Sequence, residues 1–497
     1  MRPPSSRPFA IPRRSPARRR AQALLTRFRR AARGSSLASR PDPALPEPAG
    51  AHGPVLTRGV RPGKLLPAKG ECVKDVRIGL LGCGTVGTQV ARLLEEQSQD
   101  LAARSGARLK VVAIAVRDLE APRDPAIDRG LLTDDPHRVI SQADIVIELI
   151  GGVEPARSLI LEAFRTGASV VTGNKALLAA HGPELYQAAA AAGVDLYYEA
   201  AVAGAVPVVY GLRESLAGDR IMAVLGIVNG TTNYILDEMT TKGMDFGEAL
   251  AKAQELGYAE ADPSADVDGL DAAAKCAILA SLAFHTRVAL DDVHVHGIRH
   301  ITADDVATAA RSGCVVKLIA SAKRRPDGIE LHVGPTLVPA THPLASVHGP
   351  FNAIVIEAEA ADRLMFYGRG AGGAPTASAV LSDVVAAASH RVDGGHAPRE
   401  LVYADLRVLA PQEGRSRFQV EFTVLDEVGV LTRVTSAFAS HGVSIRSVVQ
   451  GVGEGGLARL TATTHEACQA DLEATLAELS SAPFVAEVHH VNRVEES

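Results

Sequence analysis

The chain has 497 residues, 46% hydrophobic and 22% charged, an ordinary composition for a soluble globular protein of two to four domains at roughly 100–200 residues each. Its formal charge of −5 is unevenly spread: fourteen Arg and two Lys against Asp42 and Glu47 give residues 1–70 a charge of +14, leaving −19 on an acidic remainder that argues against nucleic-acid binding there. No run of about 18 apolar residues offers a membrane span, and five scattered cysteines without a C-x-x-C spacing form neither a disulfide framework nor a zinc site and fit a reducing, cytoplasmic setting.

Residues 1–72 are rich in Arg, Pro, Ser and Ala and are expected to be a disordered basic extension for lack of apolar surface to bury. Organelle targeting, a basic tail, and upstream sequence translated from a misassigned start all remain open readings of it. From residue 73 to 206, "VRIGLLGCGTVGTQVARLLEEQ", "RLKVVAIAV", "ADIVIELIGG" and "EPARSLILEAFRTGASVVTGNK" alternate short apolar strands with helices. That alternation predicts an α/β domain with a parallel sheet and right-handed crossovers. Residues 207–390 mix longer strands and helices, a second α+β domain whose glycine-led last helix is expected to return to the first. A linker over 391–414 follows. Residues 415–497 read β-α-β-β-α-β, the ferredoxin-like order.

Gly82-Cys83-Gly84-Thr85-Val86-Gly87 is a G-x-G-x-x-G turn between a strand and a helix. The first glycine allows the tight turn, the second lets backbone approach a pyrophosphate, and the third permits close helix–strand packing; the helix N-terminus faces the phosphates. The second strand ends in Arg117-Asp118, where an acidic residue suits the ribose of NAD and an arginine suits the 2′-phosphate of NADP. Arg117 favours NADP(H), with NAD the alternative.

The blocks "GLLGCGTVG", "VVTGNKALLA", "YEAAVAGAVPVV", "GIVNGTTNYIL", "AQELGYAEADPSADVDGLDAAAK", "HPLASVHGPFNA" and "YGRGAGGAPTASAVLSDV" stand in an order that resembles homoserine dehydrogenase with a C-terminal ACT domain, over about residues 74–495. One small departure is Gly173, where the family more often has Ala. The resemblance implies a Rossmann-type domain, a substrate and dimerisation domain and an ACT domain. It implies NAD(P)-dependent interconversion of L-homoserine and L-aspartate 4-semialdehyde in threonine, methionine and isoleucine biosynthesis. A homodimer or homotetramer is expected.

By the same resemblance Lys275 is the proton donor and Asp271, one helical turn earlier, its partner. From spacing alone a blander reading is better: Asp268 as N-cap, Asp271 at N3 and Lys275 as a surface partner. Glu260 and Gly257 match substrate-binding positions, Lys175 lies beside nicotinamide and substrate, and Gly372 meets the cofactor. A sodium ion held largely by main-chain oxygens falls to Glu199, Val202, Gly204 and Val206. In "LDEVGVLTRVTSAFASHGVSIRSVVQ", Asp426, Gly429, Val430 and Leu431 match the effector turn of ACT domains, with L-threonine the expected ligand and a module that only dimerises the alternative. Two other functions compete. A semialdehyde dehydrogenase of the aspartate type needs a nucleophilic cysteine, and Cys276 looks buried; a non-catalytic amino-acid sensor would not need Lys175, Glu260, Asp271 and Lys275 together.

Overall fold

The computed structural model describes residues 74–398, 404–453 and 455–495. The basic extension lies outside them. The first domain opens with β1 (Lys74–Leu81), whose apolar second half is buried on both faces, as a central parallel strand requires. It runs through the glycine turn into α1 (Thr85–Glu96), then β2 (Ala107–Ala115), β3 (Leu132–Thr133), β4 (Ile145–Glu148) and β5 (Ser169–Thr172). Helix α2 (Lys175–Ala192) and β6 (Leu196–Tyr197) complete it. The strands are all parallel in the order β3-β2-β1-β4-β5-β6, the doubly wound arrangement with its switch point between β1 and β4. Ligands dock at the carboxyl ends of strands flanking that point, which is where the glycine turn lies.

The second domain is built on β7 (Ile221–Ile227), α3 (Gly230–Lys242), α4 (Leu270–Phe284), β8 (Cys314–Arg325), β9 (Gly328–Pro339), β10 (Phe351–Ala358) and β11 (Asp362–Arg369). Helix α4, LDAAAKCAILASLAF, is alanine-rich and apolar on nearly every side, so it is buried along almost its whole length. It packs on β7, β8 and β9 and against α2 of the first domain. Helix α5 (Gly373–Asp393) returns to the nucleotide domain as expected: Ala377, Val380, Leu381, Val384 and Ala388 join Ile78, Leu80, Val90 and Ile145 in one core.

The last unit is β12 (Arg415–Leu425), α6 (Val430–Ser440), β13 (Ile445–Val452), β14 (Leu457–Thr464), α7 (Gln469–Ser480) and β15 (Val485–Val494), antiparallel in the order β15-β12-β14-β13. The final strand β15 pairs in parallel with β9 at Thr336–Arg493 and Leu337–Val494, so the second and third units share one sheet, in the order β11-β10-β7-β8-β9-β15-β12-β14-β13. Lys323–Glu495 and Arg493–Glu330 ion pairs, at 2.8 and 3.0 Å, flank that seam. The described part of the linker is likewise tied down: Ile329 donates to Arg407 O and accepts from Leu409 N.

Candidate active site

The three glycines of the turn stand in three different backbone settings. Gly82 has φ 98°, which favours glycine, and its N–H donates to Ala115 O at 3.0 Å. A Cβ on Gly87 would stand 2.3 Å from Gly82 O, so only glycine lets α1 sit this close to the strand. A Cβ on Gly84 would meet nothing within 4 Å, which leaves that side of the turn free for a pyrophosphate. Thr85 and Val86 begin α1. Cys83 is buried, with its sulfur 3.7 Å from Thr88 Oγ1, a small filler. Arg117 is exposed at the tip of β2, and the neighbouring Asp118 spends Oδ1 on Glu120 N and Ala121 N. Arg123, not singled out from sequence, ties the two ends of this site: Nη1 donates to Cys83 O and Nη2 to Asp118 O, both at 2.9 Å. At the start of α5, Gly372 has φ 116°, and a Cβ on Gly373 would come within 3.1 Å of Thr85 Cγ2, so this second glycine turn lies against the first.

After β4 the chain is held by Glu148, which is fully buried. Its carboxylate accepts from Ile150 N (2.8 Å), Gly151 N (3.1 Å) and Thr172 Oγ1 (2.6 Å). Asn174 caps α2 through Leu177 N and donates to Gly152 O at 2.6 Å. Lys175 is therefore fixed at the first position of α2, where its side chain leaves the helix start. An alanine at Gly173 would bring a Cβ to 3.3 Å from Leu149 Cδ2, so glycine here relaxes a close contact.

Lys175 meets Asp271 from the second domain: Nζ to Oδ1 is 2.5 Å. On the other oxygen, Lys275 Nζ stands 2.7 Å from Oδ2 and also donates to Val228 O at 2.7 Å. The spacing of four on α4 makes the second contact, and the apolar surroundings of α4 bury both Asp271 and Lys275. Burial alone favours protonated Asp271, but the two ammonium groups outweigh it and hold the carboxyl well below the usual carboxylate range. The blander sequence reading thus fails on two counts. Helix α4 starts behind Gly269, with φ 84° and no side-chain cap, and Asp268 instead pairs with Arg299. Lys275 is 8% exposed, not a surface partner.

A cavity of about 700 Å³ opens beside this set, lined by Lys175, Asp271 and Glu260 together with Asp262, Asp266 and Leu270. Lys275 stands behind Asp271 rather than in the cavity wall, and Gly257 is also absent from it. Gly257, with φ 73°, instead ends the helix Phe246–Glu255 and launches the segment that carries Glu260. Asp262 and Asp266 have structural partners: Asp262 accepts from Ser264 N, and Asp266 from Asn229 Nδ2. Cys276 is buried and its thiol is pushed up to about 12 by burial, which removes the nucleophile a cysteine-based semialdehyde dehydrogenase needs.

The remaining positions lie elsewhere. Glu199, Val202, Gly204 and Val206 belong to a buried turn in which Ala203 and Gly204 both take φ 55°; a Cβ on Gly204 would stand 2.5 Å from Gly370 O. The Glu199 carboxylate accepts from Val209 N and Tyr210 N, and burial lifts it to about 7 despite those donors. Asp426, Gly429, Val430 and Leu431 form the β12–α6 turn, with Gly429 at φ 89° and Leu431 exposed; Gln450 donates to Asp426 at 3.3 Å.

A doubly wound nucleotide domain facing a carboxylate-bridged lysine pair defines an NAD(P)-dependent oxidoreductase. Family models assign the same class to the first two domains: "Homoserine dehydrogenase, NAD binding domain" matches residues 82–199 and "Homoserine dehydrogenase" residues 207–385, while "ACT domain" matches residues 418–484. The chain is 52% identical over 436 residues to the homoserine dehydrogenase of Corynebacterium glutamicum, covering 86% of this chain and 97% of that one. It is 41% identical to that of Bacillus subtilis, covering 85% and 99%. The crystal structure of a homoserine dehydrogenase from Thiobacillus denitrificans superposes with a TM-score of 0.80 at 38% identity, covering 85% of this chain and 99% of that one. A hyperthermophilic archaeal homoserine dehydrogenase in complex with NADPH matches with a TM-score of 0.54 at 27% identity, over 63% of this chain and 97% of that one. The chain belongs to the homoserine dehydrogenase family, in the form that carries an ACT domain, and its first domain is one that binds a nicotinamide dinucleotide. Among the described residues no helix is long and apolar enough to cross a membrane.

Proposed function

We propose that the protein interconverts L-homoserine and L-aspartate 4-semialdehyde with Lys275 as the group that holds and moves the hydroxyl proton. The observation that carries this is the Lys175–Asp271–Lys275 set at one end of a cavity between the two domains. A bound nicotinamide supplies the hydride acceptor in one direction and the donor in the other. In the reducing direction the carbonyl oxygen gains charge as hydride arrives, and the Lys275 ammonium stabilises it and then gives up a proton. Val228 O and Asp271 take two of its three N–H groups, which leaves the third for the substrate oxygen. Asp271 holds both lysines in place. Lys175, partly exposed in the cavity wall, binds and orients the substrate, and the Glu260 carboxylate receives its ammonium group.

Arg117, exposed just beyond β2, supports NADP(H) as the preferred dinucleotide, while Asp118 uses Oδ1 within its own turn. The buried 199–206 turn, with Ala203 and Gly204 both at φ 55°, is the place for a hard monovalent cation such as sodium, which the carbonyls of Glu199, Val202, Gly204 and Val206 would hold. The ACT unit regulates turnover by binding L-threonine at Asp426, Gly429, Val430 and Leu431 in a homodimer or homotetramer. Four free thiols among the described residues suit a cytoplasmic location. The test is homoserine-dependent reduction of NADP+ and NAD+ by the purified full chain. Turnover with a higher kcat/KM for NADP+ is expected; no turnover with either dinucleotide overturns the proposal.

A further inference from the structure

Between β7 and α3 the chain passes under the carboxylate–lysine set, and one side chain there has every hydrogen-bonding group engaged. Asn229 is buried, 5% exposed. Its Nδ2 donates to Asp271 Oδ2 at 2.9 Å and to Asp266 Oδ1 at 2.7 Å. Its Oδ1 accepts from Thr232 N at 2.9 Å and from Thr232 Oγ1 at 3.0 Å. Two donors and two acceptor sites are the whole capacity of a side-chain amide. The orientation is also forced: a flipped amide would turn its oxygen onto two carboxylates and its NH₂ onto the Thr232 N–H.

We infer that Asn229 is the positioning residue of the reaction, a fixed donor that sets the rotation of the Asp271 carboxylate and, through it, the place of the Lys275 ammonium. The inference rests on the proposed role of Lys275. Among the described residues Asp271 Oδ2 accepts from two donors, Lys275 and Asn229. Removing the amide takes away the one neutral, fixed donor, so the rotation of the carboxylate then rests on two flexible lysine side chains. The adjacent Val228 O takes another N–H of Lys275, so two consecutive residues of one loop hold both members of the pair. Asp266 gives the amide its second anchor. Displacing a reacting group by about 1 Å costs roughly 100-fold in rate.

Asn229 also caps α3, and the test must separate the two roles. Serine and aspartate are both N-caps of comparable quality to asparagine. Neither keeps the amide donor. Asn229→Ser and Asn229→Asp are assayed for kcat, KM for each substrate, melting temperature and the ratio of variant to wild-type kcat across pH. The charged groups facing position 229 are Asp266, Asp271, Lys175 and Lys275. Asn229→Ser is expected to melt like wild type, lose about 10- to 100-fold in kcat and keep its dinucleotide KM. Asn229→Asp is expected to lose more at neutral pH, because a third carboxylate then faces Asp271. Its ratio to wild type recovers as pH falls, because a protonated carboxyl donates to Asp271 as the amide did. Wild-type kcat with a flat ratio in both variants overturns the inference and leaves a cap alone. Should Asn229→Asp fail to fold, Asn229→Ser decides by itself. Lys275→Ala in parallel separates the two proposals: if it stays active the lysine role fails, whereas an inactive Lys275→Ala beside a fully active Asn229→Ser sinks only the present one.

Discussion

Lys175 Nζ lies 2.5 Å from Asp271 Oδ1, an ion pair between the first residue of a nucleotide-domain helix and the second residue of a substrate-domain helix. The contact joins the two halves of the active site across the cavity they share. It also explains why α4 tolerates a buried carboxylate and a buried ammonium in an otherwise apolar helix: each has its counter-charge within 2.7 Å.

Removing that shared carboxylate tests the arrangement in two ways. Asp271→Asn is expected to lower kcat by at least about 100-fold, because both lysines lose the group that orients them. The stability effect depends on pH. Asp271 titrates well below its unfolded value, so its contribution is complete above about pH 4 and fades as pH falls further, toward the folded value. Urea unfolding at pH 7 and pH 3 should therefore show a larger deficit of Asp271→Asn against wild type at pH 7.

The two inner glycines of the turn should fail differently. Gly87→Ala forces a Cβ onto Gly82 O and is expected to cost about 1–3 kcal/mol of stability, read as a lower melting temperature. Gly84→Ala meets no protein atom, so it should melt like wild type while its dinucleotide dissociation constant rises. Equal melting temperatures for the two variants would contradict the assignment of packing to one and phosphate approach to the other.

How much of this was legible in the sequence depends on the range of the contact. Strand–turn–helix order and the ferredoxin-like order are local periodicities, and the glycine turn is a local backbone requirement, so all three were readable. The Asp271–Lys275 spacing was visible but pointed first to a surface pair, since nothing local says that α4 is buried on nearly every side. Asp268 was misread as a cap because the position after it, Gly269, takes a left-handed conformation that ends the preceding turn instead. Glu148, Arg123 and Asn229 gave no signal: besides its local bonds, each holds a partner brought near only by the tertiary fold. The β9–β15 pairing that merges the second and third units is of the same long-range kind.

Dinucleotide preference should follow Arg117. Arg117→Ser is expected to raise KM for NADP+ by about tenfold, the worth of one charge-assisted hydrogen bond, and to leave KM for NAD+ little changed. A parallel rise for both dinucleotides would mean that Arg117 does not read the 2′-phosphate.

Regulation should be separable from catalysis. L-threonine is expected to inhibit the full chain, and Asp426→Ala to raise the half-inhibitory concentration by about tenfold. Inhibition unchanged by Asp426→Ala would place the effector elsewhere, and no inhibition at all would leave the ACT unit as an assembly module.

The central claim concerns Lys275, which stands behind Asp271 and not in the cavity wall, and the most direct measurement is kcat of Lys275→Ala beside Lys175→Ala, with circular dichroism to verify the fold. Lys275→Ala should lose roughly 10²- to 10⁴-fold in kcat, the contribution of a positioned general acid, while Lys175→Ala acts mainly through KM for homoserine. Near-normal kcat in Lys275→Ala together with a collapse of kcat in Lys175→Ala would contradict the account and move the proton to the lysine in the wall.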